Sequence, residues 1–155
     1  MIKEGEGQNL EFKSSLRWDV KQGKENKDLE KVIMKTLAGF MNSEGGQLII
    51  GVEDNGNVLG LENDYQTLQN GNRDKFETHM VQLMKALMGI EFVQYVRFLF
   101  DKIEGKDVCL VTAIKSPKPV YVKYQDKEEF FARTGNSTSP FTLSEAQEFI
   151  KTHWN

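Results

Sequence analysis

A helical stripe of apolar residues runs into a glycine pair and emerges as an unbroken apolar strand, and this limits what the chain can fold into. Leu29, Ile33, Leu37, Phe40 and Met41 recur with a period near 3.6, which defines a helix with one buried face. Asn26 or Asp28 can cap it, and it continues to about Ser43. Gly45-Gly46 ends it. Gln47 to Val52 then reads as a central buried strand. The glycines follow the helix, whereas a P-loop precedes one, and no Gly-x-x-x-x-Gly-Lys-Ser/Thr pattern is present, so a helix terminus is favoured over a phosphate cradle.

The rest of the chain adds strands and two more helices. Asn9 to Lys13 alternates as a short strand with Leu10 and Phe12 on one face and Glu11 and Lys13 on the other. Arg17 to Lys31 is dense in both charges and reads as a solvated loop entering the helix. Asp54-Asn55-Gly56-Asn57 is a hairpin turn, and Val58 to Leu61 is its returning strand. Glu62 to Gly71 reads as a loop. Arg73 to Met88 is a second amphipathic helix, whose stripe of Phe76, Met80, Leu83, Met84 and Leu87 suits core packing better than a partner surface. Strands are expected over Glu91–Asp101, Lys106–Lys115, Val120–Tyr124 and Glu128–Arg133. Thr142 to Glu145 is a capping box opening a last helix, with Phe149 and Ile150 inward. The order β–α–ββ–α–ββ–ββ–α defines an α+β (mixed α/β) domain over residues 1–155. Its mixed, mostly antiparallel sheet is flanked by about three helices.

Composition narrows the function classes. A hydrophobic fraction of 39% with ten Phe opposes disorder. No apolar run approaches membrane-spanning length, and no secretory leader is visible, so a cytoplasmic location is expected. One cysteine, Cys109, excludes an internal disulfide and a multi-cysteine zinc site. Cys109 itself reads as an inert core thiol, and His79 and His153 as polar surface residues. The net charge is −3 and the pI near 5.5, so any nucleic-acid binding must rest on a local patch or on a metal bridging acids to phosphate.

Three carboxylates are candidates for such chemistry. If the first strand pairs beside Gln47 to Val52, Glu11 and Asp54 converge, with Glu6 nearby. Carboxylates that share a site repel one another unless a cation is present, and Mg²⁺ or Mn²⁺ prefers such oxygen ligands. Lys13 would neutralise phosphate oxygens. Asp54 also has an ordinary turn role before Asn55-Gly56. The string Arg133-Thr134-Gly135-Asn136-Ser137-Thr138 can grip phosphate or simply satisfy its own backbone. Bases outnumber acids from Lys115 to Arg133, including Lys118 and Lys123.

Together these strings resemble a known family. Gly5-Glu6, Leu10-Glu11-Phe12-Lys13, Ala38 to Gly46, Leu48 to Gly56, Val58-Leu59-Gly60 and Arg133 to Thr138 occur in the order of the Schlafen AlbA-like domain. The resemblance runs from about Gly5 to Thr138. It implies a mixed sheet flanked by helices and a nucleic-acid-binding module for DNA or RNA. It also implies, as an alternative, a metal-dependent endoribonuclease acting on structured RNA such as tRNA. The three catalytic and metal-binding carboxylates would then match Glu6, Glu11 and Asp54, with Lys13 as the motif lysine. Asn42 and Arg133 match recurring family positions. A two-module groove would require this chain to form a homodimer. A further alternative is a nucleotide-binding or protein-interaction module that uses the methionine stripe.

Overall fold

A computed structural model describes residues 1–154, which leaves Asn155 outside the described residues. Four strands form the main sheet: β1 (Leu10–Lys13), β4 (Gly46–Ile50), β5 (Val96–Ile103) and β6 (Lys106–Ala113), in the order β1-β4-β6-β5. β1 runs parallel to β4 in the register Leu10↔Gln47, Glu11↔Leu48, and the other pairs are antiparallel. β2 (Trp18–Asp19) and β3 (Lys24–Glu25) make a small hairpin. β7 (Tyr121–Tyr124), β8 (Lys127–Thr134) and β9 (Ser137–Phe141) make an antiparallel three-stranded sheet. The helices are α1 (Asp28–Met41), α2 (Glu62–Gln66), α3 (Arg73–Leu87) and α4 (Leu143–His153). The fold class is α+β, as the sequence suggests. No described helix is long and apolar enough to cross a membrane.

α1 packs between the two larger sheets. On one side Leu48, Ile50, Cys109 and Val111 meet Leu37, Met41, Met80 and Met84. On the other, Val120, Val122 and Phe131 complete the same apolar cluster. Alternation sends Phe12, Ile49 and Val108 to the opposite face of the main sheet, beneath Val52 and Val58. β8 alternates likewise, giving Phe130 and Ala132 to α4 and its Phe149. All three methionines at Met80, Met84 and Met88 are buried, so the helix stripe is core and offers no partner surface.

The glycine pair works as expected. Gly45 takes φ 81°, and its N–H donates to Phe40 O at 2.9 Å, which closes α1. A Cβ on Gly46 would lie 2.4 Å from the Phe40 ring, so only glycine lets the strand start this close to its helix. Between them Asn42 is fully buried. Its amide donates to Val120 O and Phe131 O at 2.9 and 2.8 Å, and its Oδ1 accepts from Val120 N at 2.8 Å. Asn42 therefore ties the end of α1 to the second sheet.

Several expectations are corrected. Val58 to Leu61 forms only an isolated bridge, Val52↔Val58, because the backbone turns at Gly51 and Gly60, both at positive φ. Part of the loop after it is helix α2. Ile90–Tyr95 is a 3₁₀ helix rather than the first half of a strand. The segment after Arg133 continues as β9. The charged run after Arg17 contains the β2–β3 hairpin, and the N-cap position of α1 is Lys27; Asn26 Oδ1 instead accepts from Asp28 N at 3.0 Å. The capping box of α4 is present, with Thr142 and Glu145 satisfying each other's backbone N–H groups.

Candidate nucleic-acid interface

Parallel pairing of β1 with β4 brings the Glu6–Glu11 segment alongside the strand that leads to Asp54. Glu6 Oε1 accepts from Phe12 N at 3.0 Å, which folds its side chain back over the start of β1. Burial raises the Glu6 pKa; the Phe12 bond opposes this, and the charges of Glu11 and Asp54 add to the rise. The Glu6 carboxyl also meets that of Asp54. The sequence reading brings Asp54 to Glu11; the structure sets it beside Glu6.

Glu11 is committed elsewhere. Its Oε1 accepts from Arg133 Nη1 at 2.9 Å, and its Oε2 lies 3.5 Å from Lys13 Nζ. Among the described residues, no three acidic, His or Cys side chains are grouped so as to hold a metal ion. The residues thus do not fit the three-ligand set that the resemblance implied, because the arginine already balances the central carboxylate.

Arg133 is the largest departure from expectation. Its side chain is 1% exposed. Nε donates to Gln8 O at 3.0 Å, Nη2 to Gly7 O at 2.7 Å, and Nη1 to both Glu11 and Thr138 Oγ1. The guanidinium also lies 4.7 Å from the centre of the Phe40 ring. Four of its five N–H groups are used internally. In this arrangement Arg133 holds the Gly7–Gln8 turn and Glu11 in place, and cannot serve as a free phosphate donor. Sequence inspection could not separate these roles, since an arginine serves either and its carboxylate partner lies 122 positions away.

The other expected contacts fall into two places. Thr134, Asn136 and Ser137 are exposed at the β8–β9 turn, where Gly135 takes φ 69°. Thr134 and Ser139 bond to each other through their hydroxyls, and Ser137 Oγ donates to Thr134 O, so this turn partly satisfies itself. Thr138 is bound to Arg133 and packs on Gly39. Lys118 and Lys123 line a separate cleft with Phe92 and Tyr121, where they lie 3.4 Å from Glu91 and 3.8 Å from Glu128.

Lys13 opens a different surface. It is partly exposed and lines a cleft of about 350 Å³ with Ser14, Ser15, Trp18, Lys21, Glu53 and Asp54. Leu29 and Val32, both partly exposed, supply its apolar wall, with the buried Phe12 and Ile33 behind it. Lys35 lies one helical turn beyond Val32 and one before Gly39, which places it between this cleft and β9. It makes no ion pair among the described residues. Sequence reading missed Ser14, Ser15, Trp18 and Lys35. The only signal was the Lys-Ser-Ser run after β1, and nothing in it specified a cleft.

Two further polar groups are structural. Asp64 is 1% exposed and accepts from Leu16 N and Arg17 N at 2.8 and 3.0 Å. Burial raises its pKa against those two bonds. Arg17, 6% exposed, pairs with Glu25 and Glu30, and Glu30 Oε2 lies 2.5 Å from His79 Nε2. His79 therefore serves a half-buried ion cluster rather than a plain surface. Cys109 is buried, which pushes its thiol up and makes it a poor nucleophile. His153 stacks on Phe149 at 3.6 Å.

Comparison with known proteins agrees with the fold. The Schlafen, AlbA_2 family model matches residues 6–142, and the chain belongs to that family. The DIP2311 protein of Corynebacterium diphtheriae is similar in fold, with TM-score 0.65 and 18% identity. The match covers 96% of this chain but 24% of that one, so this chain spans about a quarter of that protein's length. A solution NMR structure of the N-terminal domain of a RecG-related protein from Nitrosomonas europaea, named for the ATP-dependent DNA helicases, is also similar. Its TM-score is 0.51 at 19% identity, over 87% of this chain and 82% of that one.

Proposed function

We propose that the domain binds nucleic acid through the edge that runs from the β8–β9 turn across Lys13 into the adjacent cleft. The observation that supports this most is the placement of Lys13. It sits at the end of β1 and lines the cleft together with Ser14, Ser15 and Lys21. Ammonium groups and hydroxyls on a groove wall are the usual makings of phosphate contact. Family membership and the helicase-named neighbour agree with a nucleic-acid-related role. The chain's net charge of −3 suits a local contact rather than a broad coat.

Binding of a labelled oligonucleotide, followed by fluorescence anisotropy across a salt series, tests this reading. Affinity should fall steeply with salt, with a log–log slope of roughly −0.7 per phosphate engaged on a single strand. Absence of binding at low salt, or a flat salt response, would remove it.

Metal-assisted cleavage of structured RNA remains a second reading, favoured by the contact of the Glu6 and Asp54 carboxyls. A divalent cation such as Mg²⁺ or Mn²⁺ would relieve their repulsion and could polarise a phosphate oxygen. Only two carboxylates are free for it, because Glu11 is held by Arg133. Incubation of tRNA with Mn²⁺ and protein separates the cases. Cleavage that is lost in Glu6→Ala and Asp54→Ala supports the nuclease; RNA left intact by wild type sets it aside.

A further inference from the structure

The β2–β3 hairpin carries an aromatic residue that the core does not use. Trp18 belongs to none of the three apolar clusters and stacks on no other aromatic ring among the described residues. It is only partly buried, and it lines the same cleft as Lys13 and Lys21. Val20, 45% exposed, stands beside it in a segment otherwise full of charge.

The hairpin is nevertheless firmly held. A two-stranded hairpin is marginal alone. Here Leu16 is fully buried at its base, and Asp64 accepts from the backbone N–H groups of Leu16 and Arg17. Arg17 bridges Glu25 on the returning strand and Glu30 on α1. Arg17 O accepts from Asn26 N at 2.7 Å, and Ser15 Oγ donates to Trp18 O. Asp19 closes the turn, accepting from Gln22 N and Gly23 N. Buried ionic and backbone anchors thus fix the base, while a large aromatic and a lysine face open space. Such anchoring serves a ligand better than it serves stability, because it preorganises an aromatic surface.

We propose that this cleft is a subsite for one unpaired nucleotide, whose base stacks on Trp18 and whose phosphate meets Lys13 and Lys21. The proposal rests on the nucleic-acid reading above. A cleft of about 350 Å³ is at the small end of ligand-sized cavities, which suits a single nucleotide. Its mixed lining matches the two halves of that ligand. Leu29 and Val32, both partly exposed, form an apolar wall for a flat base, and the lysines and serines form a polar end for its phosphate. Glu53 and Asp54 lie on the lining as well, where they repel phosphate and can accept from a base amino group. A base within a duplex cannot reach such a surface without leaving its stack, so the substrate is single-stranded or looped.

The test uses the full chain with Trp154→Phe, which leaves Trp18 as the only tryptophan. Short unstructured oligonucleotides are titrated while Trp18 emission and the anisotropy of an end label are both recorded. Quenching that follows the same isotherm as anisotropy is expected. Trp18→Ala should weaken binding roughly tenfold, and Trp18→Phe should restore most of it. Lys21→Glu, on the exposed turn, gives a second reading that does not disturb the cleft wall, and should also weaken binding. Anisotropy without quenching, together with full affinity in Trp18→Ala and Lys21→Glu, overturns the subsite and leaves nucleic-acid binding standing. Wild-type protein that shows no anisotropy change at low salt overturns both. Quenching by a mononucleotide as tight as by the oligomer overturns the assignment to a polynucleotide.

Discussion

Arg133 and Lys13 approach the two oxygens of the same carboxylate, Glu11, from very different surroundings. Arg133 is closed off: its side chain is 1% exposed and bound to two backbone carbonyls, a carboxylate and a hydroxyl. Lys13 is 28% exposed, holds Glu11 only loosely at 3.5 Å, and opens onto a cleft. The comparison shows that basic residues in this chain divide into internal staples and surface contacts. Burial decides which is which, and a count of charges along the sequence cannot. A guanidinium suits the first task because its fork meets several acceptors at fixed angles; a flexible ammonium suits the second.

The largest expected effect probes the closed side. Arg133→Ala would strand Glu11 and the Gly7 and Gln8 carbonyls, and should cost about 3–5 kcal/mol in urea denaturation. Lys13→Ala should cost far less in the same assay, because its ion pair is partly solvated. Equal losses would erase the distinction. Asn42→Ala comes next. It leaves Val120 N and two carbonyls without partners, and should lower stability by about 2 kcal/mol.

Smaller effects sharpen the boundary between the two sides. Glu6 has a raised pKa in the folded state, so between its unfolded and folded values the native protein binds the extra proton. Its contribution therefore favours folding at low pH and weakens as pH rises through the folded value. Glu6→Gln keeps the acceptor for Phe12 N, and should be more stable than wild type at neutral pH, with the difference closing on acidification. Asp107 behaves oppositely. Its hydrogen bond from Arg73 holds its pKa well below the usual carboxylate range, so its contribution is present at neutral pH and is lost only as strong acid protonates it. A thermal-melt series over pH reads both slopes. Smallest of all, Lys118→Ala and Lys123→Ala remove exposed pairs and should shift stability by no more than about 0.5 kcal/mol.

Much of the scaffold was legible because it is written in apolar periodicity. The α1–glycine–β4 unit, α3 with its methionine stripe, and the α4 capping box all follow from spacing alone. β9 was hidden because Ser137-Thr138-Ser139-Pro140-Phe141 has almost no apolar alternation, and it sits at a sheet edge where proline is tolerated. Ile90–Tyr95 misled in the other direction, since its β-branched and aromatic residues favour strand while the backbone after Gly89 coils into a 3₁₀ helix.

The site was legible only in part. Asp54 lies beside Glu6, where strand pairing alone points to Glu11. The fate of Glu11 depended on Arg133, 122 positions away, and that contact leaves no local mark. Asp64 likewise adds nothing to an acidic surface, because it is spent on the backbone of Leu16 and Arg17. Trp18 and Lys21 stood inside a charged run whose ordinary reading is a solvated loop. Their placement on a cleft follows from anchors at Asp64 and Glu30 that sequence spacing does not reveal.

The most direct measurement compares two lysine pairs in the same oligonucleotide-binding assay over a salt series. Lys13→Ala with Lys21→Ala should weaken binding and make the log–log salt slope shallower by roughly 1.4, two phosphate contacts' worth on a single strand. Lys118→Ala with Lys123→Ala should leave affinity and slope close to wild type. The opposite result, with the slope carried by Lys118 and Lys123 and untouched by Lys13 and Lys21, would contradict the account.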